Sequence, residues 1–179
     1  MEFNEKTITS EKKFEGRIFS VRTETVELPE GKTGYREMVD HPGGVGIVAI
    51  TDSGNILFVS QYRKAIEKEL LEIPAGKLEK GEDPLECGRR ELEEETGFKA
   101  SEFVSLGHLY PSPGFANETT HIFLAWGLVA GELNRDEDEF MNVIELSPEE
   151  VYDKIMKNEI TDAKTVIGFF KGMEYMKNN

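Results

Sequence analysis

Apolar residues in this chain fall into short runs broken by Gly, Pro, Asn and Asp, so the pattern is mainly that of strands. Between Arg17 and Leu28, the apolar Ile18, Val21, Val26 and Leu28 stand among polar neighbours in an imperfect alternation. Pro29-Glu30-Gly31-Lys32 is a turn signal, and Gly34 to Val39 reads as the returning strand of a small hairpin unit. Pro42-Gly43-Gly44 is a natural junction. Beyond it, Val45 to Ile50 is nearly all β-branched, which predicts a buried strand. A turn at Thr51–Asn55 leads to a strand from Ile56 to Tyr62, the two together reading as a hairpin, and Leu70 to Ile73 predicts a short strand that stops at Pro74. Later strands are expected at Phe103 to Tyr110, Thr119 to Val129 and Phe140 to Leu146.

Three segments change to the helical period. Asp83 is a good N-cap, Pro84 suits the first helical position and Gly97 a helix end, while Leu85, Gly88 and Leu92 share one face. Pro148 to Lys157 and Asp162 to Met176 predict two more helices, the last with Val166, Phe169, Phe170 and Met173 as its apolar face. The order of elements predicts an α+β protein, a mixed β-sheet sandwiched between helices, preceded by a small N-terminal antiparallel β unit. The expected division is residues 1–42 for the hairpin unit and 43–179 for the main domain.

Composition narrows the partners. Thirty-five acidic against 21 basic residues give a formal net charge of −14, which disfavours nucleic acid and anionic membrane. Cys87 is the single cysteine, so no internal disulfide can form, as suits a cytoplasmic protein. Met1 to Lys13 lacks the apolar core of a signal peptide, and no apolar run approaches the ~20 residues of a membrane span.

The sharpest chemistry lies in Arg90-Glu91-Leu92-Glu93-Glu94-Glu95. Glu91, Glu94 and Glu95 stand at i, i+3 and i+4, so a helix puts all three on one face near its C-terminal end. Like charges there oppose folding, and the helix dipole adds to the cost. A hard divalent cation would remove both penalties. The cluster alone leaves two readings open, a solvated acidic face or a cation site.

The wider spacing resembles the Nudix box. Gly76, Glu82, Arg90, Glu91, Leu92, Glu94, Glu95, Gly97 and Phe98 fall at its fixed positions within GKLEKGEDPLECGRRELEEETGF. The resemblance implies a Nudix fold and hydrolysis of a diphosphate linkage with Mg²⁺, or Mn²⁺ as a substitute. It implies Glu91 and Glu95 as principal metal ligands, joined by Glu94 and the Ala75 carbonyl, with Arg90 and Glu82 as supports. Upstream, Gln61-Tyr62-Arg63 and Glu72-Ile73-Pro74-Ala75-Gly76 resemble the ADP-ribose branch, as does Pro113, sixteen residues after Gly97.

For that branch the implied reaction is attack of water on phosphorus of ADP-ribose, giving AMP and ribose 5-phosphate. Arg63 would grip phosphate, and Glu72 would accept hydrogen bonds from adenine or ribose. Arg36 and Glu37 would reach the nucleotide from the N-terminal unit, which would also pack across a homodimer axis and act as a substrate lid. Phe19 in that unit reads either as a ring that stacks on adenine or as a core residue of the small sheet. The general base would come from the acidic run before Phe140, with Glu139 preferred over Glu137 and a helix carboxylate such as Glu94 as the alternative. Other substrates with the same linkage, such as GDP-mannose, ADP-glucose or NADH, fit the box equally well. A noncatalytic nucleotide-binding domain of the same fold is the rival from another class.

Overall fold

The computed structural model describes residues 4–134 and 140–179. The chain divides into two compact units, one formed by the residues up to Gly43 with Tyr110–Thr119, the other by Gly44–Leu109 with Thr120–Asn179.

The first unit is an antiparallel three-stranded sheet, β1 (Lys6–Glu15), β2 (Ser20–Glu27) and β3 (Thr33–Asp40), in that spatial order. It is larger than the expected hairpin. β1 is exposed along its whole length, so neither face carries the apolar alternation that marks a strand. β2 begins at Ser20 rather than Arg17 and supplies the buried Thr23, Glu24 and Val26. The Pro-rich segment from Tyr110 docks on the end of β3 through a Val39–Ala116 bridge. Asn117 reinforces it, accepting the His41 N–H at 2.9 Å and donating to Asp40 at 2.9 Å.

The second unit is built on a seven-stranded sheet. Its strands are β4 (Gly44–Ile50), β5 (Ile56–Arg63), β6 (Lys68–Glu72), β7 (Ala75–Lys77), β8 (Phe98–Leu109), β9 (Thr120–Ala130) and β10 (Met141–Leu146). The main order is β10-β5-β4-β9-β8, with β6 on β5 and β7 on β4. The β4–β9 pair is parallel and the others are antiparallel, so the sheet is mixed as expected. β4 and β5 touch only at Ala49–Leu57 and Ile50–Ile56, next to their turn. Beyond that point β4 turns to β7 and β9, and β5 to β6 and β10, so the expected hairpin is a splayed corner.

Both faces of β4 are covered, which explains its unbroken apolar run. Val45, Ile47 and Ala49 pack with Cys87 and Leu92 of helix α1 (Pro84–Thr96). Val48 and Ile50 pack with Val151 of α2 (Pro148–Met156) and Phe169 of α3 (Ala163–Asn178). The inner face of α3 differs from its apolar pattern. Thr165, Gly168, Phe169 and Gly172 are buried, whereas Phe170 is 44% exposed. A Cβ at Gly168 would lie 3.1 Å from both Val48 and Ile73, so the missing side chain lets the helix sit close to the sheet.

Candidate active site

The carboxylate helix is fixed at both ends by its own sequence. Asp83 accepts the N–H of Leu85 at 2.9 Å, Pro84 follows it, and Gly97 takes φ 75° to close the helix on Glu93. Leu92, Cys87 and Gly88 face the core, and full burial of Leu92 contributes ~1.5–3 kcal/mol. Glu95 is buried on the same side as Leu92 and Glu91 lies next to it, so both reach the backbone at the start of β7, while Glu94 meets Arg90.

Backbone and carboxylates interlock there. Glu95, 4% exposed, accepts the Ala75 N–H at 2.9 Å. Glu91 occupies the space beside Gly76, where a Cβ would fall 1.7 Å from its carboxyl carbon. A side chain there would displace the Glu91 carboxylate. Arg90 then bridges three carboxylates. Its Nε donates to Glu82 at 2.9 Å, and Nη1 donates to Glu91 at 2.8 Å and Glu94 at 2.9 Å. The Arg90 bond is the main reason the Glu82 carboxyl is held down at about 2, and the Glu82 bond is the main reason Arg90 is pushed above its ordinary range. The supporting roles expected of Arg90 and Glu82 correspond to this contact.

Among the described residues no three His, Cys, Asp or Glu side chains form a closed cluster around one point. Arg90 draws Glu91 and Glu94, while the backbone holds Glu95. The donors are nevertheless hard oxygens, and three carboxylates share the single Arg90 guanidinium. That excess of negative charge and that donor chemistry fit a hard divalent cation.

A second charged group stands on β5, β6 and α3. Arg63 Nε and Nη2 donate to the two oxygens of Glu72, each at 2.7 Å. Lys164 Nζ binds the same Glu72 and also Asp162, the latter at 3.0 Å. Burial pushes the Glu72 carboxyl up, but the Arg63 and Lys164 contacts outweigh it and leave it below its ordinary value. Arg63 is pushed up, chiefly by its bond to Glu72 and further by the charges of Glu95 and Asp162, so the two charged groups lie within electrostatic reach. Both Glu72 oxygens are engaged by cations, which makes Glu72 a counter-ion in this geometry. Its expected contact with adenine or ribose would compete with these bonds. Sequence reasoning missed Lys164 and Thr165. The Asp162-x-x-Thr165 spacing was a usable cap signal, but nothing in the pattern marked Lys164.

The remaining expected contacts lie in the first unit. Arg36, Glu37 and Pro113 line a cavity of about 380 Å³ with Glu5, Arg22 and Glu24. Arg36 is paired with Glu5 at 2.8 Å, and Glu24 is held by Arg22 and by Thr7 at 2.7 Å. Phe19 does not line this cavity. It is 42% exposed and rests against Phe14 with ring centres 5.8 Å apart. Glu137 and Glu139, the expected base residues, lie outside the described residues.

Comparison with known proteins gives the following. The family model described as NUDIX domain matches residues 40–167, and one described as nucleoside diphosphate sugar hydrolase N-terminal domain matches residues 5–39. The chain is 48% identical to the ADP-ribose pyrophosphatase of Bacillus subtilis, over 90% of this chain and 88% of that protein. It is 49% identical to the methanol dehydrogenase activator of Bacillus methanolicus, over 92% and 90% respectively. A crystal structure of an ADP compounds hydrolase superposes with a TM-score of 0.88 at 23% identity, covering 99% of this chain and 97% of that one.

Proposed function

Because this chain belongs to the Nudix family and is a hydrolase, we propose that it hydrolyses the diphosphate bond of ADP-ribose to AMP and ribose 5-phosphate with Mg²⁺ bound on α1. The observation that carries this reading is the interlock of Glu91 and Glu95 with the Ala75–Gly76 backbone. It brings two hard oxygen donors to one short stretch of backbone, where a side chain at Gly76 would displace the Glu91 carboxylate. Similarity to the Bacillus subtilis ADP-ribose pyrophosphatase over nearly the whole chain supports the choice of substrate.

Each residue has a definite task in this reaction. Glu91, Glu94, Glu95 and the Ala75 carbonyl hold the cation, which when bound neutralises diphosphate oxygens and acidifies a water. Arg90, anchored by Glu82, keeps Glu91 and Glu94 from repelling each other until they are needed as ligands. The Glu72 pair uses Nε and Nη2 of Arg63, so Nη1 remains for a phosphate oxygen. Glu139, with Glu137 second, takes the proton from the attacking water. Arg36, Glu37 and Pro113, which line one cavity, bind the nucleoside end.

The reading includes a cytoplasmic homodimer. The fully exposed β1, with Ile8 53% and Phe14 52% exposed, is a surface that a three-stranded sheet cannot cover by itself. The likeness to the methanol dehydrogenase activator favours a second reading, stimulation of such a dehydrogenase. Adding the chain to a purified methanol dehydrogenase and following its rate tests that.

The main test is a panel of ADP-ribose, ADP-glucose, GDP-mannose and NADH with Mg²⁺, compared by kcat/KM. ADP-ribose should lead by tenfold or more. A larger kcat/KM for another member would reassign the substrate, and no turnover of any member would end the hydrolase reading for these compounds.

A further inference from the structure

The N-terminus of α3 meets both arms of the site. Asp162 caps the helix, accepting the N–H of Thr165 at 3.0 Å and its hydroxyl at 2.6 Å. The Thr165 hydroxyl oxygen in turn accepts the Ile73 N–H at 2.9 Å, two residues before the Ala75 N–H that binds Glu95. The next side chain back, Lys164, reaches Glu72, the residue immediately before Ile73. Thr165 is fully buried, and Gly168 allows the helix to lie close enough for these contacts.

Glu72 is 1% exposed, so its charge is far from water and depends on its partners. Arg63 satisfies it from the solvent side, being 42% exposed, while Lys164 is only 16% exposed. Lys164 is itself held by Asp162 at 3.0 Å. The more buried part of the group is therefore Asp162–Lys164–Glu72, and the more exposed Arg63 rests on it. We infer that Lys164 is a positioning residue for Arg63: it fixes the Glu72 carboxylate, which in turn fixes the plane of the guanidinium. This rests on the reading of Arg63 as a diphosphate-binding residue. Lys164 touches no substrate in this scheme, and its effect reaches the diphosphate only through Glu72 and Arg63.

Lys164→Met removes the ammonium but keeps a long apolar stem, and Lys164→Arg restores a cation. For the best substrate of the wild-type protein, Lys164→Met should raise KM about tenfold with kcat within about threefold, because binding of a phosphate oxygen is what weakens. The half-saturating Mg²⁺ concentration should not move, and Lys164→Arg should recover most of the loss. A second measurement needs no activity. The Arg63 Nε–H resonance, assigned by its loss in Arg63→Lys, should exchange slowly with water in wild type and at least tenfold faster in Lys164→Met. Unchanged exchange, or a KM within twofold of wild type, overturns the proposal. A fall in kcat and Mg²⁺ affinity that Lys164→Arg does not repair would assign Lys164 to fold support and also overturn it. Absence of diphosphate hydrolysis by the wild type would count against the function alone, since the arginine exchange still decides the role of Lys164.

Discussion

The two arginines of the second unit show how charge balance separates a binding surface from a scaffold. Arg90 faces Glu82, Glu91 and Glu94, so one cation serves three carboxylates. Arg63 and Lys164 together face Glu72 and Asp162, so cations and anions match. Both groups are tightly hydrogen-bonded, and hydrogen bonding alone would not tell them apart. The unbalanced one has a reason to take up a further cation. The balanced one has none; it holds the geometry of Arg63, whose Nη1 is left outside the pair with Glu72.

That contrast can be broken most severely at Glu95. Glu95→Gln keeps an acceptor for the Ala75 N–H but loses a charge, so kcat should fall about a hundredfold or more while the thermal midpoint changes little. Activity within fivefold of wild type at the normal Mg²⁺ requirement would remove Glu95 from the cation site. Gly76→Ala comes next. Its Cβ would collide with the Glu91 carboxylate, and Mg²⁺ affinity measured by calorimetry should weaken about tenfold.

Arg90→Met sharpens the comparison through stability. It leaves three carboxylates without their shared cation and should cost about 1–3 kcal/mol in denaturant unfolding, less than a fully buried pair because Arg90 is 30% exposed. Added Mg²⁺ should restore more stability to this variant than to wild type, whereas Lys164→Met should gain no more than wild type does. Equal Mg²⁺ responses in the two variants would erase the distinction between the groups.

The smallest expected effect is on acid stability. The Glu82 carboxyl lies at about 2 against an ordinary 4.5. A depressed carboxyl stabilises the fold fully above its ordinary value and loses that contribution as the pH falls from about 4.5 toward 2. Glu82→Gln should therefore be less stable than wild type near neutrality, and the gap should narrow through that window. Melting curves between pH 6 and pH 2.5 would show it. A gap that stays constant would mean that the Glu82–Arg90 bond carries no pH-linked stability.

Much of this could be read from local pattern. The limits of α1 follow from Asp83, Pro84 and Gly97, and the buried β4 from its unbroken apolar run. What escaped depended on partners distant in sequence or on the absence of contrast. β1 is exposed on both faces, and β7 is three residues long. β8 begins at Phe98, five residues before its expected start, because Lys99, Ser101 and Glu102 interrupt the apolar signal. The site shows the same division. Glu91, Glu94 and Glu95 share a face because helical spacing requires it. Lys164 meets Glu72 across 92 residues of sequence, a pairing that only the packing of α3 on the sheet creates. The engagement of Glu72 by two cations was likewise not legible in the sequence.

The most direct measurement is the rate of AMP release from ADP-ribose as Mg²⁺ is titrated from zero, for wild type and for the Glu91→Gln/Glu95→Gln double variant. Wild type should be inactive in chelator and rise to saturation with Mg²⁺, while the folded double variant should stay at least a hundredfold lower at every concentration. A double variant that follows the wild-type curve, or a wild type whose rate ignores the metal, would contradict the assignment of this helix face as the cation site.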